Sequence, residues 1–402
     1  MKVLLSAYAC TPNAGSEPGV GFATLLAAAE KHEVWVITRR KNREPILEYL
    51  RGHPAPDRVT VLGIDLSPGA LWFKKRFGGL GLQWYYDRWQ LEAARVGAAL
   101  ASDIQFDLVH HVTFASDWAR AGVGSMSLPL VWGPIGGGVL PPLRLLTILG
   151  IRGMGQEMLR ATARALMRQR PWYRAAWRNA RVVLVQNEET AGLGGDSSKI
   201  TLLPNSTALL TEPREVASHR NKQILVVGRL LPWKGGRLAL AALKHVRQPG
   251  AMLVFLGDGS GVDRFRASAA RMGLTERVRF EGSLPRDEVL ARVASAGVLL
   301  HPAMHDESPV AVGEALSLGT PVVCLDRGGP PELLKRWPAS PGTAIPIGSP
   351  DATARRLGQA VDRYLGDPPP IAITSFRPTP SYAESLLAAY NLAVGIRAEP
   401  PE

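Results

Sequence analysis

The chain has 402 residues, 46% of them hydrophobic, which is long and apolar enough for two cored domains and excludes a disordered chain. Its two cysteines, Cys10 and Cys324, lie in apolar runs, which excludes a disulfide framework or cysteine-built zinc site and sets the expected compartment as a reducing cytosol. No run nears the roughly 18 apolar residues of a spanning helix, Met1 to Leu5 is too short for a signal peptide, and the formal charge of +12 calls for an anionic partner.

Short apolar or β-branched runs alternate with Ala- and Leu-rich helical stretches: Lys2 to Tyr8, Glu33 to Thr38, Arg58 to Ile64, Phe106 to Val112, Leu128 to Trp132, and Arg181 to Val185. A second series follows Pro204-Asn205-Ser206: Gln223 to Gly228, Met252 to Gly257, Val278 to Glu281, Gly297 to His301, and Pro321 to Leu325. This alternation predicts an α/β chain of two Rossmann-like, doubly wound domains. The expected bounds are 1–205 and 206–380, with polar Thr207 to Asn221 as linker. Ser381 caps a terminal helix, 381–396, whose Leu386, Tyr390 and Val394 share a face; it is expected to return to the first domain.

Open α/β sheets bind ligands at the carboxyl ends of their strands. The first such loop, Thr11 to Gly21, is rich in glycine; Gly15 allows close approach to a ligand and Ser16 is expected to cap the next helix. In the second domain Arg229 and Lys234 follow a strand and can neutralise a diphosphate. Further on, Ser308 as N-cap, Pro309 at the first helical position and Gly319 past the end punctuate a helix whose Val310 and Ala311 N–H groups face an anion. Asp306, Glu307 and Glu314 surround the same place with carboxylates, which suit sugar hydroxyls. Trp132, Gly136 and Gly137 end a first-domain strand and are read as lining the acceptor side of a cleft; a plain turn is the simpler account.

These residues resemble the family-4 retaining glycosyltransferases of the GT-B fold over nearly the whole chain. Asp306 to Pro321 looks like the family's Glu-x7-Glu element with its Gly-Thr-Pro exit, with Asp306 in place of the first acid and Glu307 beside it. Pro204-Asn205-Ser206 stands where relatives read Pro-Asn-Gly, and Gly15-Ser16 where many read Gly-Gly. The resemblance implies that Glu314 holds the donor ribose, Arg229 and Lys234 its diphosphate, and Asp306 the sugar. It implies further that two domains face a central cleft and that His111, or His110, stands near the sugar, although Val112 occupies the place of the family's second histidine. The expected reaction moves a sugar from a nucleoside-diphosphate donor to a glycan, lipid-linked or small-molecule acceptor with retention. No metal and no cofactor are expected, since the chain has no Asp-x-Asp pair. A silent sugar-nucleotide-binding subunit and a GT-B epimerase are the alternatives; no nucleic-acid module accompanies the charge.

Between Arg144 and Arg181 the sole acid is Glu157, and Arg160, Arg164 and Arg168 form one helical stripe against Leu159, Ala163 and Leu166 on another. With Leu71 to Phe77, this stripe gives an expected peripheral contact with an anionic membrane surface on the cytoplasmic side.

Overall fold

A computed structural model describes residues 1–52, 56–210, 219–370 and 377–396. The chain divides into two compact units: the first is Met1–Gly138, Ala163–Leu209 and Pro380–Glu402, the second Val139–Thr162 and Leu210–Thr379.

The first unit is built on seven strands, β1 (Lys2–Ala7), β2 (Glu33–Arg39), β3 (Val59–Ile64), β4 (Leu108–Thr113), β5 (Leu130–Ile135), β6 (Ala180–Val185) and β7 (Ile200–Leu202), ordered β3-β2-β1-β4-β5-β6-β7. Every pairing is parallel, from Val3 opposite Val34 to Val183 opposite Ile200. Strands covered on both faces must be apolar on both, and β1 shows this with Val3, Leu4 and Leu5 each fully buried. Val3 and Leu5 share one core with residues of the helices Ser16–Ala29 and Tyr382–Ala393, and Leu4 shares the other with Tyr85, Tyr86 and Trp89 of the helix Gly78–Ala101.

The helix Tyr382–Ala393 opens with a capping box. Ser381 Oγ accepts the Glu384 N–H at 3.2 Å, and Glu384 Oε2 accepts the Ser381 N–H at 2.7 Å. Its Tyr382, Leu386 and Tyr390 are buried in the first unit's core.

The second unit has six parallel strands, β8 (Gln223–Val227), β9 (Met252–Leu256), β10 (Val278–Gly282), β11 (Val298–His301), β12 (Val322–Leu325) and β13 (Gly342–Ile345), ordered β10-β9-β8-β11-β12-β13. Both strand orders step outward from a central strand and then cross to its other side, the doubly wound plan.

Two departures from the sequence expectation concern boundaries. Residues 139–162, expected within a first domain running to 205, belong to the second unit because Leu145 and Leu149 are buried in its core and Arg237 donates to the Ile148 carbonyl at 2.8 Å. The boundary near 206 falls at Leu209/Leu210 instead, and part of the expected linker, 211–218, lies outside the described residues. Short strands β7 and β13 were also unforeseen; three or four residues carry too little periodicity to read. No helix among the described residues is long and apolar enough to cross a membrane.

Candidate functional site

Chemistry gathers first at the strand ends of the second unit. Gly228 follows β8 with φ of +124°, and the chain then passes through Arg229 to Lys234 and Gly235. Gly235 has φ of +77° and lies so close to the Pro302 carbonyl that a side chain would collide with it. Gly228, Arg229, Lys234, His301 and Pro302 line one pocket. Lys234 Nζ donates to Asp306 Oδ2, and His301 Nε2 meets the same oxygen at 3.1 Å. Burial alone would raise the Asp306 pKa, but the Lys234 charge and the His301 contact outweigh it and hold the carboxyl well below the usual carboxylate range. Arg229 is exposed.

The Lys234 loop is braced from behind. Trp233 stacks on His305 at 5.7 Å between centroids, the Arg160 guanidinium lies 4.5 Å from the Trp233 ring, and buried Glu157 meets His305 Nε2 at 3.4 Å. On the other side the Gly329 N–H donates to the Asp306 carbonyl at 2.9 Å. A Cβ on Gly329 would strike the Glu307 carbonyl, so this close approach requires glycine.

The helix that follows is Val310–Ser317. Its N-cap is Pro309, with no side-chain cap, so the expectation that Ser308 caps and Pro309 opens the helix is corrected by one position. Val310 and Ala311 lie in the first turn, where N–H groups have no acceptor within the helix. Gly319 takes φ of +67° just past its end. Glu314 is only 7% exposed, and Arg286 Nη2 donates to its Oε1 at 2.8 Å, a partner the sequence reading did not name. Glu307 and Ser308 are half-buried in the loop between Asp306 and the helix.

The first unit treats its expected site residues differently. Helix Ser16–Ala29 has Gly15 as N-cap without a side-chain bond, so Ser16 does not cap it. Ser16 instead takes φ of +57°, a conformation that favours glycine. Both Gly15 and Ser16 are exposed. His110 and His111 lie within β4 and are 0% and 1% exposed. His110 has both ring nitrogens engaged, Nδ1 with the Tyr390 hydroxyl and Nε2 with the Gly133 carbonyl, each at 2.8 Å. His111 Nε2 meets the Tyr86 hydroxyl at 3.2 Å. Both imidazoles are therefore core side chains, and burial lowers their pKa to about 4 and about 3.

Trp132, Gly136 and Gly137 are buried too. Trp132 packs edge-on against Trp177 at 5.3 Å. The Gly136 N–H donates to the Ala115 carbonyl at 3.0 Å, and the Gly137 carbonyl accepts from Arg168 Nη2 at 2.8 Å while Arg168 Nε pairs with buried Asp117 at 2.8 Å.

This arrangement also corrects the arginine stripe. Arg160 lies on Trp233, Arg164 donates to the Gly137 carbonyl at 3.3 Å, and Arg168 holds Asp117, so all three are turned onto protein. The outward face of helix Gly150–Arg168 exposes Ile151, Met158, Leu159 and Leu166 together with Arg152, Gln156 and Thr162.

One acidic residue escaped the sequence reading. Glu17, in the first turn of helix Ser16–Ala29, accepts the Ala115 N–H at 3.2 Å, and burial pushes its carboxyl up to about 7. Its place directly after Gly15-Ser16 was the available signal, but an acid in a first turn is ordinary helix chemistry.

Residues 211–365 match the family model described as glycosyl transferases group 1. Over 147 residues the chain is 35% identical to the 2-deoxystreptamine glucosyltransferase of Streptomyces kanamyceticus, a match covering 36% of each chain. The chain thus spans about a third of the length of the curated relatives it matches (36% for that one). Among solved structures, sucrose-phosphate synthase from Thermosynechococcus elongatus superposes over 98% of this chain and 97% of its own, with a TM-score of 0.55 and 18% identity. A UDP complex of HepE from Anabaena does so over 98% and 96%, with a TM-score of 0.53 and 17% identity. Residues 211–365 are thus similar to the group 1 glycosyl transferases, and the fold of the chain is GT-B.

Proposed function

We propose that the chain is a retaining, metal-independent glycosyltransferase that moves a sugar from a nucleoside-diphosphate donor to a hydroxyl of a glycan, lipid-linked or small-molecule acceptor. The observation that carries this reading is the cluster of Arg229, Lys234 and His301 at the strand ends, with Asp306 bonded to Lys234 and His301, inside the segment that matches the group 1 family. As the bond between the sugar and its phosphate breaks, charge grows on the leaving diphosphate. Arg229, Lys234 and the Val310 and Ala311 N–H groups are suited to stabilise it, which is electrostatic catalysis without a Lewis acid. Meanwhile a bond forms between the acceptor oxygen and the sugar, and the acceptor proton passes to the departing phosphate. Glu314 is assigned to the ribose and Asp306, with Glu307 beside it, to the sugar.

The test is a panel of nucleotide sugars, with release of nucleoside diphosphate read with and without acceptors. Release with at least one donor, retained in saturating EDTA, is expected. Binding without release supports the silent subunit instead, and a changed sugar without transfer supports an epimerase.

The peripheral membrane contact rests on the apolar stripe of Leu159 and Leu166, extended by Ile151 and Met158, and not on Arg160, Arg164 and Arg168. Exposed Ile151, Met158, Leu159 and Leu166 favour insertion into a lipid surface, and Arg144 and Arg152 beside them favour an anionic one. Cosedimentation with anionic vesicles, weakened by Ile151→Ser with Leu159→Ser, is the expected result; equal sedimentation of both proteins removes this part of the reading.

A further inference from the structure

The strand ends of the first unit carry a cationic cluster that the donor site does not use. Tyr8 follows β1, Arg39 ends β2, Asp65 follows β3, and Lys74 stands on the next helix, Pro68–Arg76. Arg39 Nε donates to Asp65 Oδ1 at 3.1 Å, and the Tyr85 hydroxyl donates to the same oxygen at 2.9 Å. Lys74, half-buried, has no carboxylate in ion-pair contact among the described residues. Its Nζ donates to the Tyr8 hydroxyl at 2.8 Å and sits 5.4 Å and 5.0 Å from the Tyr8 and Tyr85 ring centroids. Arg39 lies over the same two rings at 5.5 Å and 5.6 Å.

Two cations therefore share one aromatic platform, and the carboxylate present is already engaged by Arg39 and Tyr85. The rings offset part of the cost of drawing Lys74 out of water, since a cation over an aromatic face gains about 0.5–2 kcal/mol. They do nothing for the mutual repulsion of Lys74 and Arg39, which the Asp65 carboxylate offsets only in part. An anion does, and a guanidinium fork beside a compact ammonium matches a phosphate. The cluster also lies at the carboxyl edge of a doubly wound sheet, where ligands bind.

We propose that Lys74 and Arg39 form a binding site for a phosphate group carried by the acceptor. The proposal rests on the glycosyltransferase reading in one respect: the donor diphosphate is assigned to the second unit, which leaves this site to the other substrate. Burial, with the charges of Arg39 and Lys41, lowers the Lys74 pKa to about 8, so occupancy is expected to weaken in mild base. The groups that bear on Lys74 are Arg39, Lys41, Asp65, Tyr8 and Tyr85.

Calorimetric titration of the full chain with inorganic pyrophosphate at low ionic strength tests this. Two equivalents are expected for the unmodified protein, one lost in Lys74→Gln and the other in Lys234→Gln. Affinity at the first should fall by at least about tenfold, as expected for a charge-assisted contact. Lys74→Arg should restore it and, unlike the unmodified protein, keep it at pH 9. Two equivalents retained by Lys74→Gln, or a single one lost only in Lys234→Gln, overturn the proposal. A single equivalent lost only in Lys74→Gln upholds it and removes the donor assignment instead.

Discussion

The Tyr390 hydroxyl lies 2.8 Å from Nδ1 of His110, joining residues 280 positions apart at the centre of the first unit. Because Nε2 faces the Gly133 carbonyl, which only accepts, the proton sits on Nε2 and Tyr390 donates to Nδ1. Tyr390→Phe leaves Nδ1 buried without a donor and is expected to lower unfolding free energy by about 1–3 kcal/mol. Urea unfolding measures this; an unchanged midpoint would show that the bond contributes nothing net.

Both buried histidines tie stability to acid. Their folded pKa values, about 4 and about 3, are depressed by burial, so the neutral forms contribute stability that is full above the ordinary value of 6.5 and lost as pH falls toward 4. The urea midpoint should decline from pH 6.5 to pH 4.5, and less steeply in His111→Phe, which removes one of the two titrating rings. Equal slopes would count against the burial of His111.

Glu17 has the opposite sign. Its carboxyl is raised from 4.5 to about 7, so its contribution is present below pH 4.5 and lost as pH rises through 7. Between pH 5 and pH 8 the unmodified protein should lose about 2 kcal/mol relative to Glu17→Gln, a figure reduced for partial exposure. Thermal unfolding at the two pH values reads the difference, and parallel behaviour of the two proteins would refute it.

Arg229 and Lys234 should fail in different ways. Arg229 is exposed, so Arg229→Ala is expected to reduce turnover at least about tenfold with an unchanged thermal midpoint. Lys234→Ala should reduce both, because it strips the Asp306 carboxylate of its cation. Adding Asp306→Asn should recover the midpoint and leave turnover low. Recovery of both would mean that Lys234 serves only the fold.

Glu314 is held by Arg286, so its role can be divided. Glu314→Gln should raise donor KM by about tenfold with little change in kcat, since ribose does not change in the reaction. Arg286→Ala should move KM the same way by a smaller factor, by freeing the carboxylate. Should Asp306→Asn leave both constants unchanged while Glu307→Gln lowers kcat, the acid at the sugar is Glu307.

The strand series, the doubly wound plan and the second-unit loops were legible because parallel strands must be apolar on both faces and helix punctuation is local. The fate of the arginines was not. Arg160, Arg164 and Arg168 form a stripe by spacing, but spacing does not say whether a stripe faces water, and here Trp233, the Gly137 carbonyl and Asp117 turn it inward. The histidines failed for a related reason. A pair at a strand end reads as a site until Tyr390, far along the chain, is found on one ring. Leu145 and Leu149 likewise gave no sign of which core they would enter.

The burial of Tyr382, Leu386 and Tyr390 in the core shared with β5, β6 and the helix Ser16–Ala29 has a temporal side. During synthesis the first strands emerge early, yet the apolar surface they need is encoded at the far end of the message. The second unit has nearly all its segments in hand before that point, so it can condense first, while the amino-terminal sheet waits with part of one face uncovered. A released chain cut short just after Thr379 would hold every segment of the second unit and lack the terminal helix, leaving the first unit open to chaperones and proteases.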